Sequence, residues 1–324
     1  MPALCGHNFM IMKKLSILLI VFALFSCEKS GPNPEPQATC KDGILNGDES
    51  SIDCGGSCNA CEEPGGEITA YDGMTLVWND EFDYEGAPSS TKWHLQTLPI
   101  FGGGWANEEL QHYTDRQANA TVSDGTLKII ARKESYTFEN STKEYTSARL
   151  NSKYDFKYGR VDVRAKLPLQ AGAWPAIWTL GSNINERGGV FQVTKGEVSW
   201  PECGEIDIME KRGWETDRVL GTFHWKDDNS GNPASYGLDK TIDGIGSEFH
   251  LYSLIWEDGI LQIYVDNERV VQIGNSQTEF KNPHYILLNV AVGGRLGIPD
   301  GSEMPSSFSQ ATMEVDYVRI YQAQ

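Results

Sequence analysis

The sequence predicts an all-β chain: a two-sheet antiparallel β-jelly-roll sandwich preceded by a small Cys-rich N-terminal segment. Three observations carry this expectation. From Ile68 onward the chain falls into short runs of alternating apolar and polar residues separated by Gly, Asn and Asp, the period-2 pattern of half-buried strands. Few stretches reach helix length, and the absence of a strand-helix-strand rhythm argues against a parallel α/β architecture. In Arg160 to Leu167, Val161, Val163, Ala165 and Leu167 alternate with Arg160, Asp162, Arg164 and Lys166, one face for a core and one for solvent.

The 324 residues allow one large domain plus extras, and 40% hydrophobic residues with nine Trp and 13 Tyr supply a core. The formal net charge of −18, from 45 acidic and 27 basic residues, argues against nucleic acid or anionic lipid held by a broad basic surface. A neutral polymer is an easier partner.

At the N-terminus, Lys13-Lys14 and the apolar run from Leu15 to Phe25 form an export signal too short to span a bilayer, with Met12 as an alternative start. The signal, residues 1–27, ends in Leu24-Phe25-Ser26-Cys27, which resembles a lipobox: cleavage before Cys27 and acylation of its thiol would leave a membrane-anchored lipoprotein at the cell surface or in the periplasm. Plain secretion is the alternative. Residues 28–39, with Pro32, Pro34 and Pro36, read as an extended tether. In the Cys-rich module, residues 40–63, Cys40, Cys54, Cys58 and Cys61 suggest two disulfides with three possible pairings. The Cys58-x2-Cys61 spacing leaves a zinc site open.

The domain from 68 to 324 supplies the strands. Leu127-Lys128-Ile129, Leu261 to Val265 and Met313 to Tyr321 alternate as strands do, and Asp266-Asn267 suits a hairpin turn. In Glu205-Ile206-Asp207-Ile208-Met209-Glu210, Glu205 and Asp207 share one strand face while Ile206 and Ile208 take the other. Glu210 would fall on the wrong face unless a β-bulge at Met209 restores the parity. Three clustered acids repel one another and raise the pKa of at least one, which suits a general acid. Trp174, Trp178 and Trp200 precede the motif, and Trp214 and Trp225 follow it. Acids on a floor between indole walls suit a sugar chain.

Trp174-Pro175-Ala176-Ile177-Trp178, Trp200-Pro201 and Glu205 to Glu210 together resemble glycoside hydrolase family 16, and the bulged, Met-containing motif resembles its endo-β-1,3-glucanase (laminarinase) branch. The resemblance implies a concave sheet as substrate cleft and retaining endo-hydrolysis of β-1,3-glucosidic bonds in laminarin-type glucans. Glu205 would be the nucleophile, Asp207 the residue that orients and tunes it, and Glu210 the general acid/base. Mixed-linkage β-glucan, another polysaccharide, or a non-catalytic surface glycan-binding role are the alternatives. By the same resemblance Asn107, Arg149, His224 and Asn289 reach the sugar. Glu81, Gly125 and Asp316 would share a structural calcium ion, with unpaired surface acids as the other reading. No cofactor is expected for catalysis, and a monomer is expected. Arg295-Leu296 departs from the family pattern, where an aromatic residue is common, and Cys203 reads as a small buried filler.

Overall fold

The computed structural model describes residues 71 and 73–323, all within a compact unit spanning Glu63–Gln324. The export signal, Cys27, the tether and the four clustered cysteines lie outside the described residues.

In chain order the strands are β1 Met74–Asp80, β2 Trp93–Leu95, β3 His112–Tyr113, β4 Ala120–Ser123, β5 Thr126–Phe138 and β6 Ser141–Ser147. Next come β7 Arg149–Phe156, β8 Gly159–Lys166, β9 Ala173–Gly181, β10 Glu205–Glu210, β11 Arg218–Lys226 and β12 Pro233–Thr241. The last are β13 His250–Glu257, β14 Gly259–Val265, β15 Glu268–Asn275, β16 His284–Val292 and β17 Gln310–Ala323. Single helical turns form at α1 Gln192–Lys195 and α2 Gly294–Gly297.

Two sheets result. One runs β15-β14-β13-β8-β17-β5-β6-β3, with β1 added to β17 and β4 to β5; the other runs β12-β11-β10-β9-β16-β7-β2. Pairing is antiparallel except between β3 and β6. This is the jelly-roll sandwich the alternation predicts. Asp266 and Asn267 close the β14–β15 hairpin with φ of 49° and 65°, the left-handed pair a tight primed turn requires.

The core lies between the sheets. Val161, Val163 and Ala165 of β8 meet Ile177, Ile206, Phe223, Leu288 and Val290 of the facing sheet, all buried in one cluster. Each such side chain contributes roughly 1.5–3 kcal/mol on burial. The opposite face of the seven-stranded sheet is the floor of a cleft. A smaller cluster of Leu180, Ile184, Cys203, Tyr285 and Leu287 forms at one of its ends, so Cys203 is a buried, unpaired filler.

Candidate active site

The acids sit on β10, and its registers show how they reach one surface. Against β9, Asp207 pairs with Trp178 but Met209 pairs with Ile177, so β10 carries one extra residue. The shift recurs against β11 between Asp207 and Glu210. Ile208 and Met209 both turn into the core at 1% and 0% exposure, and Glu210 returns to the cleft beside Glu205 and Asp207.

Neighbouring strands place the rest by the same parity. Trp174, Ala176 and Trp178 of β9, Leu220, Thr222 and His224 of β11, and Asn289 of β16 all face the cleft. Glu210 pairs with Leu220 on one side and Ala176 on the other, Ala176 pairs with Asn289, and Asn289 pairs with Arg149. A row therefore crosses five strands at right angles to them, with the small Ala176 leaving a trough between Trp174 and Trp178. The cleft encloses about 650 Å³.

Each acid has a different environment. Trp200 Nε1 donates to Glu205 Oε2 at 3.1 Å, and Trp174 Nε1 donates to Glu210 Oε1 at 3.0 Å. His224 Nε2 lies 3.1 Å from Asp207 Oδ2 and 3.8 Å from Glu205 Oε1. The contact with Asp207 is in ion-pair range but outside hydrogen-bond alignment, so Oδ2 has no donor. Burial, reinforced by Asp207, pushes Glu210 up to about 8, against the opposing pull of the Trp174 bond, His224 and Arg212. Burial and then the Asp207 charge raise Glu205, and burial raises Asp207. Three carboxyls packed this closely cannot all ionise at neutral pH, so the cluster retains protons for transfer.

The sugar-contact candidates are braced by one another. Asn289 accepts from Trp178 Nε1 at 2.7 Å and donates to Tyr113 Oη at 3.0 Å. Arg149 is clamped to Glu186 at 2.6 Å, with its guanidinium over Trp178 and Trp105 at 4.9 and 5.5 Å. Asn107 sits in a left-handed turn, φ 56°, that lines the cleft. Gly294 makes this turn possible: a Cβ there would come within 2.7 Å of Asn107 O.

Of the residues singled out from sequence, Asn107, Arg149, Trp174, Trp178, Trp200, Glu205, Asp207, Glu210, His224 and Asn289 all line this one cleft. Trp214 and Trp225 are not among its lining residues; Trp225 packs on Phe280 instead, centroids 6.4 Å apart. Lys211-Arg212 does not offer a basic patch. Lys211 is fully buried with Nζ donating to Arg212 O, and Arg212 is spent on Asp239 and Glu215. Arg295 and Leu296 line the cleft where the family pattern favours an aromatic ring.

Glu186, Tyr113, Thr222 and Phe101 also line it and carry no local signal in the sequence. Glu186 lies in a loop whose partner Arg149 is 37 residues away.

At the expected calcium set both carboxylates have arginine partners. Glu81 is forked by Arg319 at 2.9 and 2.8 Å, and Asp316 accepts from Arg164 at 2.6 Å. Gly125 closes the β4–β5 turn, φ 72°. A calcium ion there would compete with the Arg319 and Arg164 guanidinium groups for these carboxylates.

A jelly roll whose cleft gathers three acids under indole rings defines a glycoside hydrolase. The family model described as Glycosyl hydrolases family 16 matches residues 107–319, and the chain belongs to that family. It is 52% identical to LamAcat from Zobellia galactanivorans, whose crystal structure superposes with a TM-score of 0.74 over 76% of this chain and 98% of that one. It is 38% identical to a beta-glucanase from Rhodothermus marinus over 76% of this chain and 84% of the relative. It is also 36% identical to glucan endo-1,3-beta-glucosidase A1 from Niallia circulans over 79% of this chain, but spans only 39% of that protein.

Proposed function

We propose that the chain is a retaining endo-β-1,3-glucanase acting on laminarin-type glucans. The bulge in β10 carries this reading, because it puts Glu205 and Glu210 on one wall of the cleft. In this reading Glu205 attacks the anomeric carbon while Glu210 protonates the leaving oxygen, and a glycosyl-enzyme ester forms. Glu210 then takes a proton from water, whose oxygen displaces Glu205. Burial raises both Glu205 and Glu210 and each accepts one indole N–H, so in this reading the cycle starts from the arrangement with Glu205 ionised and the shared proton on Glu210. Asp207, between them and beside His224, holds the nucleophile's charge and orientation.

The relatives support the linkage. A variant of the Zobellia protein was solved with laminaritriose and laminaritetraose, and other relatives are named endo-1,3-beta-glucosidases. The chain's acidic surface, net −18, favours a neutral polymer. A panel of laminarin, mixed-linkage β-glucan and agarose, read by reducing-end release, tests the substrate. Laminarin should be cleaved fastest, the first products should be β-anomers by proton NMR, and Glu205→Ser should abolish hydrolysis while keeping oligosaccharide binding. Full activity in that variant ends the assignment. Binding without new reducing ends in the wild-type chain would make it a glycan-binding protein instead. We propose further that the chain is exported and acts as a monomer held to a membrane only through acylated Cys27.

A further inference from the structure

The row Leu220, Glu210, Ala176, Asn289, Arg149 continues past the known site. Gln96 N donates to Arg149 O at 3.0 Å, and the chain then turns into a tight hairpin. In that hairpin Phe101 N donates to Gly104 O and Gly104 N donates to Phe101 O, each at 3.1 Å. Gly103 takes φ 91° at its tip. Two outside contacts fix its position: Ser141 Oγ donates to Gly103 O at 3.3 Å, and Arg187 Nη1 donates to Pro99 O at 3.0 Å. The Phe101 ring is 62% exposed while lining the cleft. What sets this ring apart from other exposed apolar side chains is that a braced turn holds it on the cleft, where its face is open to stack on a sugar ring.

Arg149 lies three strands from Glu210, roughly 14 Å at strand spacing, and the hairpin leaves from the strand beyond it. We propose that Phe101 is a specificity-determining platform that stacks on the apolar face of a glucose unit two or more units removed from the bond cleaved. This rests on the β-glucan reading above. The ring makes the enzyme select for chain length, because a short oligosaccharide spanning the acids and Arg149 does not reach it.

The test compares kcat and KM of the wild-type chain, Phe101→Ala and Phe101→Trp on laminaritriose, laminariheptaose and laminarin. Phe101→Ala should lower kcat/KM on the heptamer and polymer about three- to tenfold through KM, and on the trimer by less. Phe101→Trp should restore it. Equal values for wild type and Phe101→Ala at every length overturn the proposal, as does an equal loss at every length, which would mark a merely structural ring. No turnover of any β-glucan by the wild-type chain removes the functional reading, and this one with it.

Discussion

At the scale of single residues, the site works by withholding water from charge. Glu210 is raised to about 8 from an ordinary 4.5 chiefly by burial, so between those values the folded chain keeps a proton the unfolded chain has released. The folded state therefore binds more protons there, and stability falls as pH rises through that window. Thermal unfolding at pH 5 and pH 8 should show wild type losing more stability between the two than Glu210→Gln does. The same proton sets the chemistry, and kcat should fall above about pH 8 as Glu210 ionises. A rate still rising beyond that pH would take the acid role from Glu210.

At the scale of elements, one surplus residue in β10 decides which face Glu210 takes. Deleting Met209 removes the surplus and returns the strand to strict alternation, in which Glu205, Asp207 and Glu210 still share the cleft face, so reducing-end release should survive in a chain whose circular dichroism still shows its sheets. Loss of hydrolysis with the sheets intact would mean that the bulge does more than set which face Glu210 takes. The turn carrying Asn107 depends on a different element, the Gly293-Gly294 corner after β16. Gly294 has φ 69° and no room for a Cβ against Asn107 O, so Gly294→Ala should cost about 1–2 kcal/mol in denaturant unfolding and raise KM more than it lowers kcat.

At the scale of the whole molecule, the sandwich is one core with a cleft on one outer face. Ile206 is fully buried between the sheets directly behind the acids, and Ile206→Ala should destabilise the fold by about 2–5 kcal/mol in urea titration. The net charge of −18 gives no attraction to a neutral glucan, so KM should be insensitive to salt; a strong salt dependence would point to a charged polymer.

Alternation along the chain predicts the fold class and the shared face of Glu205 and Asp207; it leaves Glu210 on the opposite face unless Met209 is bulged, and the bulge is expected from the resemblance of the Met-containing motif to its family and is seen in the register of β10. Trp174 and Trp178 are legible as aromatics beside the acids and from their place in the segment that carries the family resemblance. Tertiary contacts alone show that Glu186 clamps Arg149, that a half-buried Trp225 packs against the core, that Glu81 and Asp316 are claimed by Arg319 and Arg164, and that Phe101 lines the cleft. Those facts depend on which strands become neighbours. Pairing joins residues far apart in the chain through backbone bonds that any side chain can make, so no local pattern records it.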